Sequence, residues 1–307
     1  MIPILLLYKI AQLFIIMLFG FALVKLRVVK SGDSYILSKI SLYLLMPATI
    51  LCSFDVEITE EIRGGLLLAF AAAIGIHIVF LCVDLIYKKL AHGTAVERAS
   101  IMYPNAANLI IPIVSFVLGE EWVIYSCAFI TVQLVFIWTH GAQVFSGERT
   151  VNLKKILLNV NLIAIAVGAV MMLCGIRLPK FVGEISSSLG GMLGNVAMLI
   201  AGMTMASIDL RTVLKNKRLY LVLAMRMLVL PLIVLGLLRL ALLFLTVPNG
   251  ETVLLVSFFA CITPSAATVM QLAQVHRREP DFAVAIHVAT TLVSVGTMPL
   301  FVWLYSL

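Results

Sequence analysis

The chain has 307 residues, a net charge of +7 and 62% hydrophobic residues against 12% charged ones. This composition excludes an ordinary soluble domain, because apolar stretches long enough to cross about 30 Å of hydrocarbon recur along the whole sequence. The five cysteines are scattered through these stretches without paired spacing, so they indicate neither a disulfide framework nor a metal site.

Hydropathy predicts an all-α integral membrane protein with ten spanning helices. The predicted spans cover approximately residues 4–25, 34–54, 64–87, 97–118, 122–145, 155–175, 184–206, 219–245, 252–274 and 281–305. The first span is too long for the apolar core of a signal peptide, so we expect it to remain in the mature protein.

The basic residues predict how the chain crosses the cytoplasmic membrane. They collect in alternate connections, at Lys25, Arg27, Lys30, Lys88, Lys89, Arg98, Arg149, Lys154, Lys155, Arg211, Lys215, Lys217, Arg218, Arg277 and Arg278. Lysine and arginine are retained on the cytoplasmic side, so both termini are expected outside. Because the bases occupy five short separate loops, they explain the net charge without a nucleic-acid partner.

Two short segments repeat one pattern inside otherwise apolar helices. The segments are Pro104-Asn105-Ala106-Ala107-Asn108 and Pro264-Ser265-Ala266-Ala267-Thr268. Proline removes a backbone donor and breaks a helix, so each copy must have its freed carbonyls satisfied by protein or by a watery cavity. The shift that pairs the two segments also pairs Glu121 with Asp281. The chain is therefore predicted to consist of two halves, residues 1–150 and 151–307, with five helices each.

An odd number of spans in each half makes the second half enter from the opposite face. We therefore predict two inverted repeats whose broken fourth and ninth helices cross near mid-membrane. The amino-terminal ends of half-helices favour an anionic ligand, whereas their carbonyl ends favour a cation. A carboxylate is the first substrate that this arrangement suggests.

The motif Pro104-Asn105 followed by Pro112 resembles the fourth helix of the auxin efflux carrier family, which includes plant auxin exporters and bacterial malate or malonate permeases. Further segments resemble the same family, namely Met46-Pro47, Arg226, Pro264-Ser265-Ala266, Glu279-Pro280-Asp281-Phe282, Thr290-Thr291 and Met298-Pro299-Leu300. The resemblance covers essentially the whole chain.

The resemblance implies a bacterial-type permease for a small organic anion, working by elevator-type alternating access. Helices one, two, six and seven would form the scaffold. The expected substrate-binding residues are Asn105, Asn108, Ser265, Thr268, Pro104, Pro112 and Pro264. No cofactor is expected; coupling to H⁺ or Na⁺ and a homodimeric assembly stay open. The alternative is a sodium-coupled carrier similar to the bile acid symporters, which have a related fold.

Each polar candidate has a structural alternative. Asn105 and Asn108 share a helix face, where they either contact the substrate or cap the broken helix. Ser265 and Thr268 occupy the mirror positions, which pair with Asn105 and Asn108 in the repeat. Their hydroxyl groups either face the site or bond to their own helix. Gln133 and Gln271 either line the pathway, with sodium among the possible ligands, or make interhelical hydrogen bonds.

Charged residues and histidines inside the spans are also candidates. For Arg226 the interpretations are a substrate counter-ion, a snorkelling anchor and, as the preferred one, a salt bridge to Asp84. His77, His140 and His287 are candidates for proton relay. No carboxylate lies at helical spacing from any of them on its own span, so we expect satisfied structural histidines.

The sequence gives no support for an intramembrane enzyme. It has no His-Glu-x-x-His motif, no glycine-flanked nucleophilic serine and no paired aspartates within a span. A membrane sensor on a transporter fold is a further alternative, and transport assays would separate it from a carrier.

Overall fold

A computed structural model describes residues 2–147, 154, 157–207, 215–244 and 247–307. The described residues form twelve helices. They are α1 Ile2–Lys25, α2 Ser31–Ser53, α3 Glu60–Ala91, α4 Ala95–Met102, α5 Ala106–Val117, α6 Glu120–Ser146, α7 Val160–Leu173, α8 Lys180–Met205, α9 Lys217–Leu242, α10 Gly250–Ile262, α11 Ala267–Val275 and α12 Pro280–Tyr305. Three of the bases used to predict the orientation, Arg149, Lys155 and Arg211, lie outside the described residues.

Seven of these helices, α1, α2, α3, α6, α8, α9 and α12, are long and apolar enough to cross a membrane. The predicted fourth span is instead two short helices, α4 and α5, and the predicted ninth span is α10 followed by α11. Both interruptions fall at the repeated proline segments, where the backbone donor needed to continue the helix is missing. The predicted sixth span is the shorter apolar helix α7.

Polar residues at the helix starts explain where several of these helices begin. Thr94 and Glu97 form a capping box at α4, in which the Thr94 N–H donates to the Glu97 carboxylate over 3.0 Å. Thr59, Asn159 and Asn216 accept backbone N–H groups at the first turns of α3, α7 and α9. Such caps satisfy amide donors that a helix cannot bond internally.

Three long helices contain a π-helical turn, at Ser41–Leu45 in α2, Ile137–Gly141 in α6 and Met225–Val229 in α9. A π turn inserts an extra residue, so it redirects side chains and frequently marks a functional site. The second and third turns contain His140 and Arg226. Each of the three turns contains a residue that lines a cavity or contacts the helix breaks described below.

The long helices pack around the broken pairs. Helix α1 packs on α8, and α2 packs on α7 and α8, whereas α3 packs on α6 and α10, and α10 contacts α5 and α9. Small residues permit the closest contact, because a Cβ added at Gly20 or Gly202 would collide with the backbone carbonyl of Leu199 or Met17. Such close approach is typical of helices packed in a membrane.

Candidate substrate site at the crossed helix breaks

The two helix interruptions lie side by side and are joined through their backbones. Pro104 and Ser265 form an isolated antiparallel bridge. The Asn105 N–H donates to the Pro264 carbonyl over 2.7 Å, and the Ala266 N–H donates to the Tyr103 carbonyl over 2.8 Å. The two unwound segments thus satisfy part of each other's freed backbone, as the sequence argument requires.

The carbonyl ends of α4 and α10 converge on one arginine. The guanidinium of Arg226, which is completely buried, donates from Nη2 to the carbonyls of Cys261 and Thr263 over 2.6 and 2.7 Å. Its Nη1 donates to the Ile101 carbonyl over 3.3 Å. Carbonyl ends of helices carry partial negative charge, so this cation stabilises both of them at once.

Further side chains satisfy the remaining carbonyls of the unwound segments. Gln133 donates from Nε2 to the Pro104 carbonyl over 2.7 Å. His287 donates from Nδ1 to the Ser265 carbonyl over 2.7 Å, and the Ser265 N–H donates to the Thr290 hydroxyl over 3.1 Å. The carbonyl side of the crossing is therefore closed by protein donors.

The amide ends of the two breaks differ from the carbonyl ends in how their backbone groups are satisfied. Among the described residues, no side chain caps the first turn of α5 or of α11. Both helices begin beside a cavity of about 70 Å³, the crossover cavity, whose polar lining residues are Ser38, Ser41, Asn105, Asn108, Asn161, Thr268, Gln271 and His287. The Asn108 amide donates to the Asn105 side-chain oxygen over 3.0 Å, so it orients that side chain.

Asn161 is the feature of this cavity that the sequence analysis missed. Its side chain is completely buried, and neither its amide nitrogen nor its oxygen has a hydrogen-bond partner among the described residues. A buried amide without partners is costly, and such groups call for an explanation such as a ligand or water. The sequence did carry a signal for Asn161. It is a polar residue just inside an apolar span, two residues after the capping Asn159.

The predicted substrate residues and the two candidate pathway glutamines lie in three places. Asn105, Asn108, Thr268 and Gln271 line the crossover cavity. Pro104, Pro264, Ser265 and Gln133 take part in the paired backbone segments instead. Pro112 lies farther along α5 and lines a second cavity.

This second cavity, the Lys9 cavity, has a volume of about 400 Å³. Its polar lining residues include Lys9, Thr49, Ser115, Glu120, Ser186 and Ser187. The Lys9 amine lies 4.8 Å from the centre of the Phe116 ring, a cation–π contact. The same three helices, α2, α5 and α8, line both cavities. Along each helix, the residues that line the Lys9 cavity and those that line the crossover cavity form two separate stretches.

The preferred interpretation of Arg226, a salt bridge to Asp84, is wrong. Asp84 accepts two hydrogen bonds from Arg98, at 2.8 Å to Nε and 2.6 Å to Nη2, and lies 3.3 Å from His140 Nε2. Arg226 binds backbone carbonyls, because two broken helices end beside it and place more unpaired acceptors there than a single carboxylate would. It also cannot be a snorkelling anchor, since it is fully buried.

The three histidines have hydrogen-bond partners, but not all are of the expected kind. His77 Nδ1 lies 2.7 Å from the Ala73 carbonyl of its own helix, and His287 binds the crossing as described. His140 contacts a carboxylate, Asp84, that another helix supplies. Spacing along one span could not reveal that contact. Within the described residues, no cluster of three or more metal-ligating side chains is present.

Seven long apolar helices, two crossed helix breaks and a polar cavity at the crossing define the class of a multi-pass membrane transporter. A family model described as "membrane transport protein" matches residues 5–155 and, a second time, residues 148–302. The two matches cover most of the chain, so it belongs to this family, the auxin efflux carrier family, and is a transporter and not an enzyme. The double match also suggests repeats. No curated protein matches the chain.

Proposed function

We propose that the protein carries a small organic anion, a mono- or dicarboxylate such as malate, malonate or an auxin-like acid, and binds it in the crossover cavity. The observation that carries this proposal is the meeting of two uncapped helix starts with the unpartnered amide of Asn161. Free helix amides carry partial positive charge, and an amide side chain both donates and accepts hydrogen bonds. A carboxylate complements this set.

The charges around the crossing favour an anion over a cation. A sodium ion needs several oxygen ligands, and the carbonyl ends of broken helices are the usual source in transporters. Here the carbonyls of Cys261, Thr263, Pro104, Pro264 and Ser265 each accept a protein donor. This arrangement supports the organic-anion permease over the sodium-coupled alternative.

The proposed architecture has ten spans in two inverted halves, residues 1–150 and 151–307. Counting α4 with α5 and α10 with α11 as single broken spans gives this number. We place both termini outside the cytoplasmic membrane, on the basis of the alternating basic connections. The close packing among α1, α2, α7 and α8 supports their role as the scaffold, with the remaining helices moving against them.

The Lys9 cavity is then the outer part of the pathway. In the proposed orientation, α2 runs outward and α8 runs inward, so Thr49 and Ser186 lie nearer the outer face than Ser41 and Ile200. The two cavities therefore follow one another across the membrane along the same three helices. Elevator movement of α5 along α2 and α8 would expose the substrate to each of the two cavities in turn.

Ligand binding can be tested with the purified full chain in detergent. Malate, malonate and an auxin-like indole acid would each be titrated in a thermal-shift assay, with and without sodium. We expect at least one acid to raise the melting temperature without needing sodium. Asn161→Ala and Asn105→Ala should each weaken that acid's affinity by about tenfold or more, roughly 1.4 kcal/mol.

The matched control is Asn195→Ala, which removes an exposed asparagine of α8 that lies outside both cavities. This variant should bind the acid as the unmodified protein does. Uptake of the same labelled acid into proteoliposomes then separates a carrier from a sensor. If Asn161→Ala and Asn105→Ala both folded and bound the acid with unchanged affinity, the crossover cavity would not be the substrate site.

A further inference from the structure

His140 connects a buried ion pair to the crossed helix breaks. It lies in the π turn of α6, and 24% of its side chain is exposed. Its Nε2 is 3.3 Å from the Asp84 carboxylate, and its Nδ1 is 2.9 Å from the Tyr103 hydroxyl. Tyr103 is the residue whose backbone carbonyl accepts the Ala266 N–H at the crossing.

The groups around the His140 ring define its charge balance. Helix α3 contributes Asp84, whose side chain is fully buried and already neutralised by Arg98 of α4. The end of α4 contributes Tyr103. His276, which directly follows α11, stacks on Phe145 of α6, and Glu97 of α4 pairs with Arg218 of α9. With a neutral imidazole, the trio of Asp84, Arg98 and His140 therefore carries no net charge.

The Tyr103 hydroxyl has a choice of two hydrogen-bond acceptors. Its oxygen lies 2.9 Å from His140 Nδ1 and 3.0 Å from the Phe136 carbonyl. When the imidazole is neutral, the hydroxyl donates to Nδ1 while the Nε2–H points at Asp84. When Nδ1 takes up a proton, it donates to the hydroxyl oxygen, and the hydroxyl hydrogen turns to the Phe136 carbonyl. Both states use every donor present.

We infer that His140, held between Asp84 and Tyr103, is the proton-binding site that couples transport to a pH gradient. Histidine changes charge near neutral pH, and the ring of His140 is not fully enclosed by protein. Each protonation adds one positive charge and reorients the Tyr103 hydroxyl. The ring of Tyr103 packs so closely on Gly141 of the same π turn that α6 and the crossing are held together there.

This inference rests on the proposed function in one respect, the sign of the coupling. Because the bound proton adds positive charge beside the crossing, it favours an anion in the crossover cavity. By linkage, the anion equally favours the proton. Proton and anion are therefore expected to move together, in the same direction.

The proton site itself can be tested without any ligand. The melting temperatures of the unmodified full chain and of His140→Gln would be compared between about pH 5.5 and 8. A proton bound between Asp84 and Tyr103 would make the stability of the folded chain depend on pH, so the difference between the two proteins should change across this range. His276→Gln, the control, should run parallel to the unmodified protein. A pH-independent difference for His140→Gln would overturn the proton site.

The coupling is tested in proteoliposomes with the labelled acid that the thermal-shift assay identifies. His140→Gln should still exchange labelled for unlabelled acid, but it should lose at least fivefold of the accumulation driven by an inward proton gradient. Tyr103→Phe keeps the ring and removes the hydroxyl. If His140→Gln fails to fold, this variant should likewise keep exchange and lose gradient-driven accumulation. If His140→Gln and Tyr103→Phe both folded and both kept full gradient-driven accumulation, the coupling role would be overturned.

The two arms separate this inference from the proposed function. If the unmodified protein moves none of the acids but the pH-dependent stability difference is present, the proposed substrate class is wrong and the proton site stands. If the acid is transported and the stability difference is absent, the anion carrier stands and the proton site is wrong.

Discussion

The two sides of the helix crossing differ although the same two helix breaks form both. On the carbonyl side, Arg226, Gln133 and His287 supply donors to the ends of α4 and α10 and to the unwound segments. On the amide side, α5 and α11 begin without side-chain caps beside a cavity. A helix start is usually capped by serine, threonine, aspartate or asparagine.

This difference shows how one structural device gives both stability and a binding site. In lipid, each backbone group without a partner costs several kcal/mol, so a broken helix must have its freed groups satisfied. Protein donors satisfy the backbone acceptors of the crossing, and the backbone donors at the starts of α5 and α11 are left for a ligand. The preference for an acceptor-rich anion that we propose for the site follows from which side is closed.

The largest effect is expected on the carbonyl side. Arg226→Met removes the donors to the Ile101, Cys261 and Thr263 carbonyls while keeping much of the side-chain volume. Leaving several buried acceptors unpaired should cost on the order of 3 kcal/mol or more in the free energy of unfolding. Melting temperature and size-exclusion profile in detergent would measure the loss.

Arg239→Met is the matched control for this change. Arg239 is on the same helix, is only partly buried and makes a cation–π contact with Tyr305. Its removal should lower stability by less than about 1 kcal/mol. If Arg226→Met kept the normal melting temperature and lost only affinity for the acid, Arg226 would be a substrate counter-ion and the two sides of the crossing would not differ as described.

A smaller effect on the same side is expected for Gln133→Leu. The substitution removes the donor to the Pro104 carbonyl, a single interhelical hydrogen bond between α6 and the first break. Such bonds within membranes contribute about 1 to 2 kcal/mol, so a moderate fall in melting temperature should follow. Gln274→Leu, at an exposed position of α11, should leave the melting temperature nearly unchanged. Equal effects of the two changes would show that the Gln133 bond is not needed.

The sequence predicted the positions of both breaks because each repeated segment places a proline, which removes a backbone donor, beside polar residues inside an apolar span. It also indicated the cavity-lining residues Asn105 and Asn108, since polar residues inside a span are costly. Partners that come from different helices could not be assigned this way. Arg226 was matched with the wrong acceptor, and the carboxylate facing His140 was missed, because both contacts depend on how helices distant in sequence pack.

The smallest effects, and the sharpest distinction between the two sides, are expected from the mirror hydroxyls. Thr268 lines the crossover cavity, whereas the hydroxyl of Ser265 is completely buried and has no hydrogen-bond partner among the described residues. Thr268→Val keeps the shape of the side chain and removes its hydroxyl, so the affinity for the acid should fall roughly threefold to tenfold, about 1 kcal/mol. Ser265→Ala removes an unpaired polar group, so both melting temperature and affinity should change by less than about 0.5 kcal/mol. The reverse result, with affinity sensitive to Ser265 and indifferent to Thr268, would place the ligand against the paired backbone segments and not in the cavity where α5 and α11 begin.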